Sequence, residues 1–537
     1  MFSVLIRNGR VYDGTGGPGF TADIGINDDR VEAMGDLSEA EAELEIDAAG
    51  RCVAPGFIDI HTHSDTPLLV AGEGHSHLRQ GVTTNVIGNC GTSLAPVTDE
   101  AVEYMKARFG GDDAPVEWEW RSLDEYLGLL QERGVSVNVV PLVGQGTVRG
   151  SVMGFADRKP TSEELDRMRA MVREGMEDGA FGLSTGLIYV PGSYADVDEI
   201  AEMAAVIAEY GGLYATHIRG ENDTLMPALR EAVEIGRRAG VPVQISHLKA
   251  MGRHMWGASV QALELIDEAR EEGIDVTADQ YPYNASATGL GAYLPAWAHV
   301  GGAGELQKRL ADEAVRERIR EDILCDMEGW TSLHKGVGWE NTLITQCPHE
   351  TLEGRSVADI ARERGVDEFD AAFDILMECE GRVGVVYFTI GDEDLERIMA
   401  HPAVMIGSDS SAVATEGPLA RGKPHPRAFG TFSRVLGHYV RDRKTLSLSE
   451  AVMKMTSMPA QKLGLVDRGI LRPGMKADLV IFDADAVGDC ATYNDPFQYT
   501  VGVEGVFVNG CETVRGGEHL GTKAGRVLRR GDGSGRL

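Results

Sequence analysis

The sequence predicts an α/β protein: a (β/α)8 TIM-like barrel with a small β domain formed by both chain termini. Three observations predict it. Eight short apolar runs alternate with helix-period segments through the middle of the chain. The two ends are strand-and-turn material instead. Finally, side chains able to ligate a metal follow directly after several of the runs, where a barrel carries its chemistry. A hydrophobic content of 43% with 25% charged residues is ordinary globular composition, so the chain has enough apolar surface to fold.

The first 54 residues read as Val4–Ile6, the turn Asp13-Gly14-Thr15-Gly16-Gly17, Asp23–Ile26 and Arg30–Met34. From about Gly469 the pattern returns, with Ala477–Phe482, Gly502–Val508 and the hairpin signal Asn509-Gly510. Residues 1–54 plus 469–537 are thus expected to form the small β domain, with Arg526 to Leu537 fraying. Residues 55–468 are expected to form the barrel. Its runs are Phe57–Ile60, Thr84–Ile87, Val137–Leu142, Gly182–Leu187, Leu213–Thr216, Val243–Ser246, Asp275–Ala278 and Val404–Ile406. Helices are predicted over Thr161–Asp178, Val197–Tyr210, Asn222–Ala239 and Val260–Glu272. The late eighth run implies an insertion at about 284–402, with helices over Glu305–Asp322 and Asp367–Cys379, placed to cap the barrel mouth.

Fifty-one Lys and Arg against 84 Asp and Glu give a net charge of −33. Nucleic acid is excluded, because phosphate binding needs a basic face. Adhesion to anionic membranes is disfavoured for the same reason, and no apolar run is long enough to span a bilayer. Phe2, Val4 and Ile6 alternate as in a strand rather than forming a signal-peptide core. Seven cysteines without a CxxC pair suggest neither a disulfide framework nor a zinc ribbon, so a cytoplasmic protein is expected.

His61-Thr62-His63 follows the first run, Asn89-Cys90-Gly91 the second, His217 the fifth, His247 the sixth and Asp409 the eighth. Alternate residues of a strand face the same way, so His61 and His63 can meet one ion. Taken singly, each has a plain reading: a packed cysteine, a satisfied histidine or a helix N-cap. That reading would have to hold independently at five strand ends. Nine other histidines lie mostly in helical or loop stretches and are read as structural or solvated.

The segments "APGFIDIHTHSD", "GNCGTSLAP", "GLSTGLIYVPG", "YATHIRGE", "QISHLKAMG", "DQYPYNAS", "IGSDSSA", "HPRAFGTFSRVLGHYVR" and "RGILRPGMKADLVIFD" cover nearly the whole chain. They resemble the N-acyl-D-amino-acid deacylases of the amidohydrolase superfamily. Many amidohydrolases bridge two metals with a carboxylated lysine at strand four. Here that strand ends in Ser184-Thr185-Gly186, and Cys90 is the available substitute anion. The resemblance implies one tight zinc on Cys90, His217 and His247, and a weaker second site on His61, His63 and Asp409.

Three protein ligands leave a position open for water, whose pKa zinc lowers from 15.7 to about 7. Asp409 is the candidate general base and acid. The resemblance makes Tyr189 a donor to the oxyanion. An N-acyl amino acid substrate carries a free carboxylate, for which Arg427 is the first clamp candidate and Lys249 the second. Tyr283 and Ser286 complete the pocket by resemblance. Two departures from the family pattern, Ser410 after the catalytic Asp and Gln145 in the third strand's loop, are expected near the mouth. No cation for an acidic substrate side chain stands out; Arg219, Arg253 and Arg421 are the candidates. Rival readings are an amidohydrolase of another amide, a cyclic amide or a dipeptide, and a non-catalytic metal-binding scaffold. The oligomeric state stays open.

Overall fold

The computed structural model describes residues 1–102, 105, 117–325, 327 and 330–531. Among them, eight parallel strands form the barrel: Phe57–Asp59, Val82–Ile87, Asn138–Pro141, Gly182–Gly186, Leu213–His217, Val243–Ile245, Val276–Gln280 and Val404–Ile406. The third strand continues as Val143–Gly144, which pairs with the fourth. The eighth closes on the first through a parallel bridge between Thr62 and Ser410, with Asp409 N donating to His61 O at 2.9 Å. Closure therefore falls at the site residues themselves. Inside the ring, Ile58, Val86, Val140, Leu213, Ala215 and Met405 pack as one buried cluster. Their β-branched and apolar side chains suit the two-sided burial of a parallel sheet.

The helices follow their predicted positions with trimmed ends. Ser162–Glu177 starts where Thr161 and Glu164 form a reciprocal capping box, and it buries Met168, Val172 and Met176. The spacing of those three residues puts them on one face, and losing the Thr161 hydroxyl would cost about 1 kcal/mol. Glu305–Asp322 is not one helix. It divides into Ala303–Leu310 and Glu313–Leu324, because the Asp312 side chain accepts from Ala314 N and Val315 N and starts a new helix.

Both ends of the chain share a nine-stranded sheet, five strands from residues 2–55 and four from residues 479–519. Ile6, Ile24, Val53, Leu479, Ile481 and Phe507 form its core. Asn509 and Gly510 have φ of 48° and 80°, as a tight hairpin between Val503–Val508 and Cys511–Arg515 requires. The tail does not fray up to Arg530. Val139 N donates to Arg526 O, Leu528 N to Val139 O and Arg530 N to Gly179 O, so the tail docks on the third barrel strand. Residues 532–537 lie outside the described part.

Between the seventh and eighth strands, a lobe from Ala285 to Phe388 has its own core, which includes Tyr293, Trp339, Phe373 and Tyr387, while the helix Asp392–Ala400 packs on the barrel. Its antiparallel sheet joins Ala285–Gly289, Gly384–Phe388 and Thr342–Gln346. The first of these strands supplies Ala287, Thr288 and Gly289 to the wall of the cavity described next.

Candidate metal centre and active site

A cavity of ≈480 Å³ opens at the C-terminal ends of the strands. His63, Asp65, Cys90, Tyr189, Asp409 and Arg427 are among the residues that line it. Three site residues, Cys90, His247 and Asp409, hold positive φ angles of 50°, 36° and 50°. Non-glycine residues pay a conformational cost there, and such strain clusters where function demands it. Glycines flank Cys90 for a steric reason. A Cβ on Gly91 would stand 2.6 Å from Gly186 N, and one on Gly186 would strike Cys90 O. The second and fourth strands can therefore close up and present the thiol.

Cys90 sits between two groups of ligands. Its Sγ is 3.8 Å from His217 Nδ1 and 3.7 Å from His247 Nε2. On the other side His61 Nε2 is 3.2 Å from Sγ. Asp409 Oδ1 lies 3.0 Å from His63 Nε2 and 3.5 Å from His61 Nε2. One ligand atom each from His61, His63, Cys90 and Asp409 lie within 4.8 Å of one another, and so do those of Cys90, His217 and His247. The residues fit a metal. A thiol and imidazoles converge on one point, and the buried His217 Nε2 has no hydrogen-bond partner, so its ring is not held by an ordinary structural bond. Burial alone would push the Cys90 thiol up. The His61 charge and hydrogen bonds from His217, His247 and His61 override this and hold it well below its ordinary value. Asp409 behaves likewise: burial raises it, and Arg427 first, then His247, bring it well below the carboxylate range.

Behind the ligands stand residues that sequence reasoning missed. Asp279 Oδ1 lies 3.1 Å from His61 Nδ1 and accepts from His247 N at 2.8 Å. Glu221 lies 3.0 Å from His247 Nδ1. Carboxylates in this position orient metal-binding histidines. Glu221 follows His217 by four residues in "YATHIRGE", and Asp279 is the penultimate residue of the seventh strand; those placements were the available signals.

The structure brings Arg427 to the site, with Nη2 3.0 Å from Asp409 Oδ2 and with Nε and Nη1 buried without partners. Tyr189 also reaches the cavity, its hydroxyl 3.0 Å from Thr288 Oγ1. Other expectations need correction. Lys249 lies behind His247 and not in the cavity lining; its Nζ is 2.5 Å from Glu221 Oε1. Tyr283 points away, its hydroxyl donating to Asp489 at 3.2 Å. Tyr281 takes the place instead, under the Arg427 guanidinium at 4.5 Å and 2.8 Å from the buried Ser286 hydroxyl. The chain turns at Pro282, with Tyr283 N donating to Tyr281 O, so strand alternation no longer governs which tyrosine faces the site. Ser410 and Gln145 are not at the mouth. Ser410 bonds Ser408 at 2.9 Å and His77 at 3.3 Å, and Gln145 is fully buried near Glu199. Arg219 is occupied by Glu231 and two carbonyls.

The sequence matches the Amidohydrolase family over residues 44–514. It is 37% identical to a D-aminoacylase of Alcaligenes xylosoxydans xylosoxydans, over 98% of both chains. It is also 37% identical to an N-acyl-D-glutamate deacylase of that organism, over 98% of this chain and 96% of the other. The crystal structure of an N-acyl-D-glutamate deacylase from Bordetella bronchiseptica, complexed with zinc and a phosphonate mimic of the tetrahedral intermediate, superposes with a TM-score of 0.82. It is 35% identical over 98% of this chain and 99% of that one. The chain belongs to the amidohydrolase family, in its D-aminoacylase branch.

Proposed function

We propose that this protein hydrolyses the amide bond of N-acyl-D-amino acids, with zinc as its metal, releasing a carboxylic acid and a free D-amino acid. One observation carries the reading: a thiol-and-imidazole ligand set and the Asp409–Arg427 pair face each other at a single cavity. The relatives' activities supply the D configuration and the amide class. Cys90, His217 and His247 would hold the tight ion, and His61, His63 and Asp409, sharing Cys90, a weaker one. The seven unpaired cysteines suit a reducing cytoplasm.

The chemistry that zinc supplies when bound by such donors is Lewis acidity, which polarises a carbonyl and makes water a nucleophile at neutral pH. The protein's own groups do the rest. Arg427 offers its guanidinium charge and the unpartnered Nη1 to the substrate carboxylate, while Nη2 stays on Asp409. This fixes the acyl group beside Asp409. Asp409, kept ionised by Arg427, takes a proton from the attacking water as the new C–O bond forms. It then gives that proton to the amide nitrogen as the C–N bond breaks. The Tyr189 hydroxyl, kept protonated by burial, is the donor placed to stabilise negative charge on the carbonyl oxygen. The Tyr281 ring lies under the guanidinium, and the Ser286 hydroxyl holds the Tyr281 hydroxyl.

The test is release of free amine from paired N-acetyl-D- and N-acetyl-L-amino acids by the zinc-loaded protein, with Asp409→Ala as control. Release confined to the D series and lost in the variant is expected. Release from the L series would overturn the stereochemistry. No release from either, with zinc bound, would overturn the substrate class.

A further inference from the structure

Glu221 is buried behind the two histidines that flank Cys90 and within hydrogen-bond reach of one of them, His247. Oε1 is 3.0 Å from His247 Nδ1, and Oε2 is 3.9 Å from His217 Nε2. The opposite nitrogens, His247 Nε2 and His217 Nδ1, are the ones that face Cys90 Sγ. Each neutral imidazole has one proton and one lone pair to distribute. A metal ligand must turn its lone pair toward the ion, so the proton must sit on the outward nitrogen. The two rings therefore need opposite tautomers, Nδ1–H for His247 and Nε2–H for His217.

Lys249 makes the choice at His247 a real one. Its ammonium lies 2.8 Å from His247 Nδ1 and has no acceptor capacity. Were it to donate to Nδ1, the ring proton would have to sit on Nε2, pointing at Cys90. Glu221 removes that outcome. Its carboxylate accepts from Lys249 at 2.5 Å and can accept from Nδ1–H as well. The backbone fixes Glu221 in place, since Met251 N donates to Glu221 O at 2.7 Å. That bond ties the loop after the sixth strand to the loop after the fifth.

We propose that Glu221 is a positioning residue that sets the Nδ1–H tautomer of His247 and so turns its Nε2 toward the metal. The proposal rests on the zinc reading above. It assigns Lys249 to this buried pair, where it holds the carboxylate in register.

The experiment measures zinc affinity by competition with a chromophoric chelator, and the cobalt(II) absorption spectrum, for the wild type, Glu221→Gln and Glu221→Ala. Thermal melts of the metal-free proteins report folding separately. Glu221→Ala is expected to bind zinc about 10- to 100-fold more weakly and to shift the cobalt bands. Glu221→Gln should fall between, because its one uncharged amide oxygen must serve both Lys249 Nζ and His247 Nδ1. If Glu221→Ala fails to fold with Lys249 left unpaired, the double variant Glu221→Ala/Lys249→Met removes that charge and is measured instead. A folded variant with wild-type zinc affinity and an unchanged cobalt spectrum would overturn the proposal. A wild-type protein that binds no zinc would overturn the metal reading itself, which keeps the two failures apart.

Discussion

Cys90 separates two unequal halves of one site. On one side His217 and His247 are almost wholly buried, and the Glu221 carboxylate stands behind them, 3.0 Å from His247 Nδ1. On the other, 36% of the His63 side chain is exposed, and Asp409 is shared between His63 and Arg427, 3.0 Å from each. His61 alone on that side is fully buried and backed, by Asp279. The difference teaches how one strand-end cluster serves two tasks. The closed half keeps His217 and His247 out of the cavity lining, so it suits retention of an ion. The open half lines the cavity and pairs its carboxylate with a competing cation, so it suits substrate and proton traffic.

Substitutions can break that division. Cys90→Ala removes the donor common to both halves; it is expected to abolish zinc retention through gel filtration, read by atomic emission, and turnover with it. Retained zinc at wild-type stoichiometry would mean that the halves do not share their thiol. Asp409→Asn should act on the open half alone. Turnover is expected to fall about 10²- to 10⁴-fold while one zinc per chain remains; loss of that zinc would join Asp409 to the closed half. Arg427→Met is milder. It forfeits charged hydrogen bonds to the substrate carboxylate, about 2–3 kcal/mol or roughly 30- to 150-fold in kcat/KM. The loss should shrink sharply for N-acyl amino acid amides, which lack the carboxylate, and an equal loss for both substrates would remove Arg427 from the clamp.

The closed and open halves were also unequally legible. All eight barrel strands could be read, because two-sided burial leaves short β-branched runs bounded by glycines and helical segments. The metal-ligating residue types stand directly after those runs, so they could be read as well. What lies behind them could not. Glu221 and Asp279 act across strands, and a carboxylate four residues from a histidine looks like any surface charge until the strands are assembled. The same limit hid the docked tail, whose arginines looked solvated but whose backbone pairs with a strand nearly 400 residues earlier. The break at Asp312 was missed for the opposite reason. It is local, but in sequence Asp312 reads as one more charged residue on a helix surface rather than as the cap of a new helix.

The smallest expected effect concerns which side chain the open half admits. Identity does not decide it, since the D-aminoacylase and the N-acyl-D-glutamate deacylase are equally similar at 37%. The cavity wall does offer an argument. Among its described lining residues Arg427 is the one Arg or Lys, and it is engaged with Asp409. Asp65 lines the same cavity, with Oδ2 accepting from Gly88 N at 3.2 Å and Oδ1 without a partner. Burial pushes its pKa up to about 6, so in mildly alkaline buffer it carries a negative charge. A carboxylate on the wall repels an acidic substrate side chain and leaves a neutral one unaffected. N-acetyl-D-leucine should therefore be preferred to N-acetyl-D-glutamate, and Asp65→Asn should narrow the ratio of their kcat/KM values. At an effective dielectric typical of a partly solvated cleft, the gain is about 1 kcal/mol, a fivefold change. It should come from the glutamate substrate and fade as salt is added. A ratio that stays fixed in Asp65→Asn would place the side chain away from this wall and leave selectivity to the lobe between Ala285 and Phe388.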